Sequence, residues 1–213
     1  MSRTTSGRLI ALEGIDGSGK TTQARLLAER TGAHLTFEPG ATPLGASLRR
    51  LLLDPDLAIG TRAEALLMSA DRAQHVAGVI APLLADGRWV VTDRFAGSTL
   101  AYQGFGRGME IAELERLVIW STGGLRADLS ILVDVPVEVA AARRAGGEPD
   151  RLERLGTAFH ERVAEGFRRM AGQDPQRWAV VDGTAPVTVV SEAVRCVVED
   201  RLGTPVGGGS RTP

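Results

Sequence analysis

One cysteine, Cys196, stands among 213 residues. A lone thiol excludes an internal disulfide framework and a zinc site built from several cysteines. Cys196 lies in an apolar-patterned segment, which predicts a packed core thiol. Charge of neither sign dominates: 25 Lys and Arg against 26 Asp and Glu leave a net charge of −1. Bulk nucleic-acid binding is excluded, so no nucleic-acid partner is expected, although a few arginines can still converge on one cleft. No stretch reaches the ~18 uninterrupted apolar residues of a membrane span. The first eight residues, MSRTTSGR, lack the apolar stretch of a signal peptide. No membrane partner and a cytoplasmic location follow by elimination. Internal repeats and a domain boundary are also missing. The segment 205–213 has no apolar pattern and is expected to be disordered.

What is present is ample core material, with 43% hydrophobic residues, enough for one α/β domain spanning 1–204. Apolar strand candidates occur at Leu9–Leu12, His34–Phe37, Trp89–Thr92, Leu129–Val133 and Trp178–Val181. Between them lie helical patterns at Thr22–Arg30, Leu44–Leu53, Ala63–Ala85, Ile111–Trp120, Val137–Ala145, Arg151–Ala171 and Val187–Arg201. Alternation of this kind predicts a three-layer α/β fold, a five-stranded parallel sheet with helices on both faces. Ligands of such sheets sit at the carboxyl ends of the strands. The strand exits read GIDGSGKT, EPGATP, DRF, DVP and DGTAP, and each of them contains an acidic residue.

The first exit is the most informative. GIDGSGKT fits G-x-x-x-x-G-K-[ST], with Gly14, Gly19, Lys20 and Thr21 at the fixed positions. A strand precedes it and a helix closed by Gly32 follows, as a phosphate cradle requires. Loop N–H groups converge on an anion, and the helix N-terminus adds its positive dipole end. The loop therefore predicts a nucleoside triphosphate site made by Gly14, Asp16, Gly17, Ser18, Gly19, Lys20, Thr21 and Thr22. Lys20 is expected on the β- and γ-phosphates and the Thr21 hydroxyl on Mg²⁺. At the third exit, Asp93 is placed to position Mg²⁺ or its waters. Arg94 offers a planar fork suited to a phosphate. Beyond it, Thr99, Tyr102 and Gln103 fall about one turn apart if the stretch is helical. Grouped beside a phosphate clamp, they read as recognition of a base and a sugar.

LIALEGIDGSGKTTQ, EPGATPLGASLRRLLLD, ALLMSADRAQH, VVTDRFAGSTLAYQG and DLSILVDVP…DRLE stand in the order and spacing of the thymidylate kinases, which the chain resembles from about Leu9 to Ala171. That resemblance implies transfer of the γ-phosphate of ATP to dTMP with Mg²⁺, in a small fold with a mobile lid at about 143–154, and a homodimer. By the same resemblance, Asp16 faces the acceptor 3′-hydroxyl and the metal region. Arg94 clamps the acceptor phosphate and Arg49 approaches it. Arg72 serves the thymine O4, while Thr99 and Gln103 surround the base. Tyr102 blocks a ribose 2′-hydroxyl. Met68 stands where the family usually has phenylalanine stacked on thymine; Phe37 replaces a frequent arginine, and Ala46 a common glutamate.

Some family members carry an arginine inside the loop, at the position of Gly17. Its replacement by glycine shifts the expected positive charge to the lid, where Arg143, Arg144, Arg151 and Arg154 flank Gly146 and Gly147. Arg143 and Arg151 are expected to approach ATP on closure, as catalytic residues with Lys20, Asp16 and Arg94. Two other readings fit the residues. One is a kinase of the same fold for another nucleoside or modified pyrimidine monophosphate; the other is a non-catalytic P-loop nucleotide-binding module.

Overall fold

A computed structural model describes residues 7–145 and 148–203. Its parallel sheet has five strands, β1 Leu9–Glu13, β2 His34–Phe37, β3 Val90–Asp93, β4 Leu129–Asp134 and β5 Trp178–Asp182, in the order β2-β3-β1-β4-β5. The central strand reads LIALE because it is covered on both faces; every residue of it is buried. Around the sheet run α1 Lys20–Thr31, α2 Pro43–Leu53, α3 Thr61–His75, α4 Ala81–Ala85, α5 Ala96–Thr99, α6 Ile111–Thr122, α7 Val137–Arg144, α8 Thr157–Gln173 and α9 Val187–Leu202. On one face, Ile10, Leu12, Val91 and Ile131 pack against Leu27 of α1 and Val194 of α9. Chain order reverses direction around β1, so the crevice beyond its carboxyl end opens between β1 and β3. The glycine loop leaves β1 there, and Asp93 and Arg94 leave β3 beside it.

Three local expectations are corrected. The pattern over Ala63–Ala85 is helical but not uniform: a π-helical turn, Val76–Ile80, joins α3 to α4. Pro82 has no N–H to give, and the Ala81 N–H bonds back to Val76 O instead. The helix expected over Arg151–Ala171 is broken at Gly156, whose φ of 77° suits glycine. A short 3₁₀ turn, Glu153–Leu155, precedes the break. Cys196 is exposed rather than packed. The buried stripe of α9 is Val190, Val194 and Val198, and Cys196 falls two residues out of phase with it. No described helix is long and apolar enough to cross a membrane. Gly146, Gly147 and the segment 205–213 lie outside the described residues.

Candidate active site

The glycine loop is wound as its composition requires. Gly14, Gly17 and Gly19 have φ of 146°, 86° and 96°, which other residues adopt only under strain. Helix α1 begins at Lys20 with no side chain capping it, which leaves its first N–H groups to an anion. Lys20 is the only lysine in the chain. Its side chain is buried, and Nζ lies 3.3 Å from Asp16 Oδ1.

Arg94 is anchored through both its backbone and its guanidinium. It is the one non-glycine residue with positive φ, 72°, among the described residues. Such strain persists only where the surroundings over-determine it. Here Arg94 N–H donates to Leu12 O, and Thr92 Oγ1 donates to Arg94 O. The guanidinium donates to Gly14 O at 3.0 Å and Ser98 Oγ at 2.9 Å through Nη1. Through Nη2 it donates to Asp16 Oδ1 at 2.6 Å and Tyr102 Oη at 2.9 Å. Tyr102 in turn donates to Asp16 Oδ2 at 2.8 Å. Burial alone would raise the Asp16 carboxyl, but the Arg94 and Lys20 charges outweigh it and hold Asp16 well below the usual carboxylate range. Burial pushes the Tyr102 phenol far upward, so it stays protonated and can donate.

Beneath this cluster sits Glu13, which the sequence reading did not single out. It is fully buried and accepts from Phe95 N–H, Ser98 N–H and Ser98 Oγ. Burial pushes its carboxyl up to about 7, against the hydrogen bond from Ser98 and the charge of Arg94. Glu13 therefore fastens the start of α5 to the end of β1. The stretch after Phe95 is helical, as the spacing of Thr99, Tyr102 and Gln103 required. It continues from α5 as a π-helical segment, Leu100–Gly106.

Arg49, Met68, Arg72, Thr99, Tyr102 and Gln103 line one pocket, whose wall also includes Asp16 and Arg94. Arg72 is pinned by three bonds, from Nε to Glu38 Oε2, Nη1 to Thr99 Oγ1 and Nη2 to Phe95 O. Glu38 is braced from behind by His75 Nδ1 at 3.0 Å. Asp71 also lines this pocket, with Oδ1 accepting from Gly40 N–H and Oδ2 buried without a partner among the described residues. Burial, then the nearby Glu38 charge, push its carboxyl up to about 6. Arg49 donates to Pro39 O and lies over the Phe37 ring at 5.9 Å. Helix α3 supplies Glu64, Met68, Arg72 and His75 at helical spacing on one face. Met68 and Arg72 are expected there from the resemblance; Glu64 and His75 extend the same face and were readable from the helical spacing.

A second opening joins Asp16, Lys20, Thr21, Asp93 and Arg94. Thr21 Oγ1 donates to Asp93 Oδ2, while Asp93 Oδ1 is buried with no partner among the described residues. Not every acidic strand exit faces the crevice chemistry: Asp134 accepts from Arg168, and Asp182 from Thr184.

The four arginines expected in a lid divide. Arg143 reaches the loop: Nη1 donates to Ser18 O at 3.2 Å and Nη2 to Gly183 O at 2.9 Å. Arg151 is bonded elsewhere. Its guanidinium is buried, with Nη1 bonded to Glu64 Oε2 at 2.6 Å and Nε to Leu52 O. A buried carboxylate on α3 demands charged partners, and Arg151 is one of them. Its neighbours Asp150 and Leu152 form part of the pocket wall. Arg144 pairs with Glu153, and Arg154 donates to Pro149 O.

The thymidylate kinase family model matches residues 12–194. This chain belongs to the thymidylate kinase family. A thymidylate kinase of Carboxydothermus hydrogenoformans is 50% identical over 183 residues, covering 83% of this chain and 89% of the relative. One of Cupriavidus metallidurans is 46% identical over 197 residues, covering 90% and 98%. The crystal structure of thymidylate kinase from Ehrlichia chaffeensis superposes with a TM-score of 0.75 at 32% identity, covering 91% of this chain and 99% of that one. Membership in the thymidylate kinase family fits the five-stranded parallel sheet and its glycine loop. The absent loop arginine also finds a physical reason here. A Cβ at Gly17 would lie 2.3 Å from the Ala140 carbonyl oxygen, at a φ of +86°. Helix α7 occupies the space that an arginine at Gly17 would need.

Proposed function

We propose that this chain transfers the γ-phosphoryl group of ATP to dTMP, giving dTDP for dTTP synthesis. One observation carries the reading. Lys20 of the phosphate loop and Arg94 of the acceptor pocket meet at a single carboxylate oxygen, Asp16 Oδ1, at 3.3 and 2.6 Å. The ATP cradle and the acceptor pocket thus share a wall, which is what in-line transfer between two bound phosphates demands.

Two anionic phosphates brought together repel, so catalysis is alignment plus fixed positive charge. Lys20 and the first N–H groups of α1 receive the ATP phosphates. Arg94, rigid in its four side-chain hydrogen bonds, presents a charge that needs no reorganisation when the acceptor phosphate arrives. Arg49 stands at the rim of both openings and serves the same phosphate. Asp16 faces the sugar. Arg72, Met68, Thr99 and Gln103 surround the base, with methionine offering a softer packing surface than phenylalanine. Arg143, already on the loop at Ser18, is the lid-side arginine suited to the transferring group. Arg151 would have to leave Glu64 to join it.

Thr21 and Asp93 fit a magnesium ion. It takes one or two protein oxygens and keeps several waters, and Asp93 Oδ1 has no other partner among the described residues. When bound, it would neutralise charge on the ATP phosphates.

The reading is tested by ATP consumption with dTMP, dUMP, UMP and thymidine side by side. Turnover with dTMP well above the other three is expected, and turnover with thymidine alone would overturn it. In the same screen, Tyr102→Ala should narrow the gap between deoxyribo- and ribonucleotide acceptors while the overall rate falls. An unchanged ratio would place sugar discrimination away from the phenol.

We also infer a homodimer. Leu44 of α2, Leu66 of α3 and Ile119 and Trp120 of α6 are 50%, 58%, 46% and 79% exposed, and all but Ile119 line one groove. Apolar surface of this kind is suited to association. Sedimentation should give a dimer for the wild type and a monomer for Trp120→Glu; a wild-type monomer at micromolar concentration would refute the inference.

A further inference from the structure

Glu64 lies in the first turn of α3, is fully buried, and has no part in the transfer described above. Its oxygens accept from Gln103 Nε2 at 2.9 Å, Arg107 Nη2 at 2.7 Å and Arg151 Nη1 at 2.6 Å, with a longer bond from Arg107 Nε. Burial alone would raise its carboxyl, but these hydrogen bonds hold it below the usual range. Glu64 is therefore a carboxylate, and a carboxylate only accepts.

That fixes the amide opposite it. Gln103 must turn its NH₂ toward Glu64, because a carbonyl facing a carboxylate would be repelled. The amide oxygen of Gln103 then points the other way, and among the described residues the only side-chain hydrogen bond of Gln103 is the one its NH₂ gives to Glu64. Gln103 lines the acceptor pocket together with Arg72 and Thr99. Arg72 can only donate. Thr99 already accepts from Arg72 Nη1, which leaves its own proton to donate. The pocket thus offers donors from Arg72 and Thr99 and an acceptor from Gln103. Thymine and uracil present an N3–H donor between two carbonyl acceptors. Cytosine presents an unprotonated N3 acceptor beside an amino donor.

We propose that Glu64 is a positioning residue for base selection: by holding the Gln103 amide in one polarity, it makes the pocket favour bases with an N3–H and reject cytosine. The proposal rests on the reading of dTMP as the acceptor. It assigns the discrimination to a residue that touches no substrate, acting through an amide whose two ends are nearly equal in shape.

The test is kcat/KM for dTMP, dUMP and dCMP in wild type and Glu64→Gln. A glutamine at 64 donates as well as accepts, so the Gln103 amide is free to turn. The dTMP to dCMP ratio should fall by roughly tenfold or more, the scale of one misdirected buried hydrogen bond. The dTMP to dUMP ratio should not move, since both bases carry N3–H; a merely structural role would disturb both ratios. Arg107→Leu, which removes one partner but leaves the carboxylate, should lower stability and keep both ratios. An unchanged dTMP to dCMP ratio in Glu64→Gln, or equal shifts in both ratios, overturns the proposal. If Glu64→Gln does not fold, Gln103→Leu decides: it removes the amide and leaves Glu64 its two arginines, and retention of the wild-type dTMP to dCMP ratio overturns the proposal. A wild type inactive on all three would overturn the dTMP reading and this inference with it. A wild type active on dTMP whose ratio survives both variants would overturn only the role of Glu64.

Discussion

Lys20→Ala lowers kcat by about 10²–10³, the scale of removing one preorganised electrostatic contact to a developing charge. The fold survives, because the ammonium contacts Asp16 and the crevice rather than the apolar core, and Asp16 keeps Arg94 and Tyr102 as partners. Steady-state kinetics with a melting curve separates the two effects. Near-normal turnover would remove the glycine loop from the mechanism, and a collapsed melting temperature would recast Lys20 as structural. The sequence offers a second readout. Lys20 is the sole lysine, so an amine-acylating reagent has only this side chain and the N-terminus to modify. Saturating ATP should block the side-chain adduct seen by mass spectrometry and leave the N-terminal one. Equal labelling with and without ATP would contradict a phosphate-bound ammonium.

The glycine loop was legible because backbone chemistry forces it. A turn needing positive φ at Gly14, Gly17 and Gly19 admits few other residues, so the composition carries the conformation. The strands were legible for a similar reason: LIALE, buried on both faces, has no polar alternation to blur it. Helix ends and breaks were less so. Gly156 stops one helix and Pro82 perturbs another, yet the apolar period continues across both.

The pairs that define the acceptor pocket are separated too far along the chain to be read from spacing. Glu64 finds Gln103, Arg107 and Arg151 at separations of 39, 43 and 87 residues. Arg151 shows the consequence. Beside Gly146 and Gly147 in the sequence it reads as a lid arginine poised for ATP. Only the buried charge on α3, visible in three dimensions, explains why its guanidinium is held at Glu64. Arg143 reads the same way in sequence but lies against Ser18, because α7 packs its last turn over the loop. The missing loop arginine had a readable cause in neither case: Gly17 is fixed by the carbonyl of Ala140, which is 123 residues away along the chain.

Arg94→Lys should cost the acceptor side far more than the ATP side. The substitution keeps a positive charge and loses the fork. In the wild type, two nitrogens serve four partners, Gly14 O and Ser98 Oγ on one side and Asp16 and Tyr102 on the other. One ammonium nitrogen has three hydrogens on a different stem and cannot span both sides. It must also occupy a backbone at φ 72°, whose strain the guanidinium contacts help to hold. Tyr102, robbed of Arg94, then leans on Asp16 alone, and the shared wall between the two sites loosens. The expected result is a fall of roughly 10²-fold in kcat/KM for dTMP, on the scale of one or two charged hydrogen bonds. Rising KM should account for much of it, because the acceptor phosphate has lost a rigidly placed guanidinium charge. ATP affinity, measured by calorimetry without acceptor, should change little, since Lys20 and the α1 N-terminus remain. A lower melting temperature should accompany the loss, from Asp16 and Tyr102 left short of a partner. The opposite pattern, ATP affinity reduced and dTMP affinity kept, would move Arg94 from the acceptor pocket to the phosphate loop, to which its bond with Gly14 O already ties it.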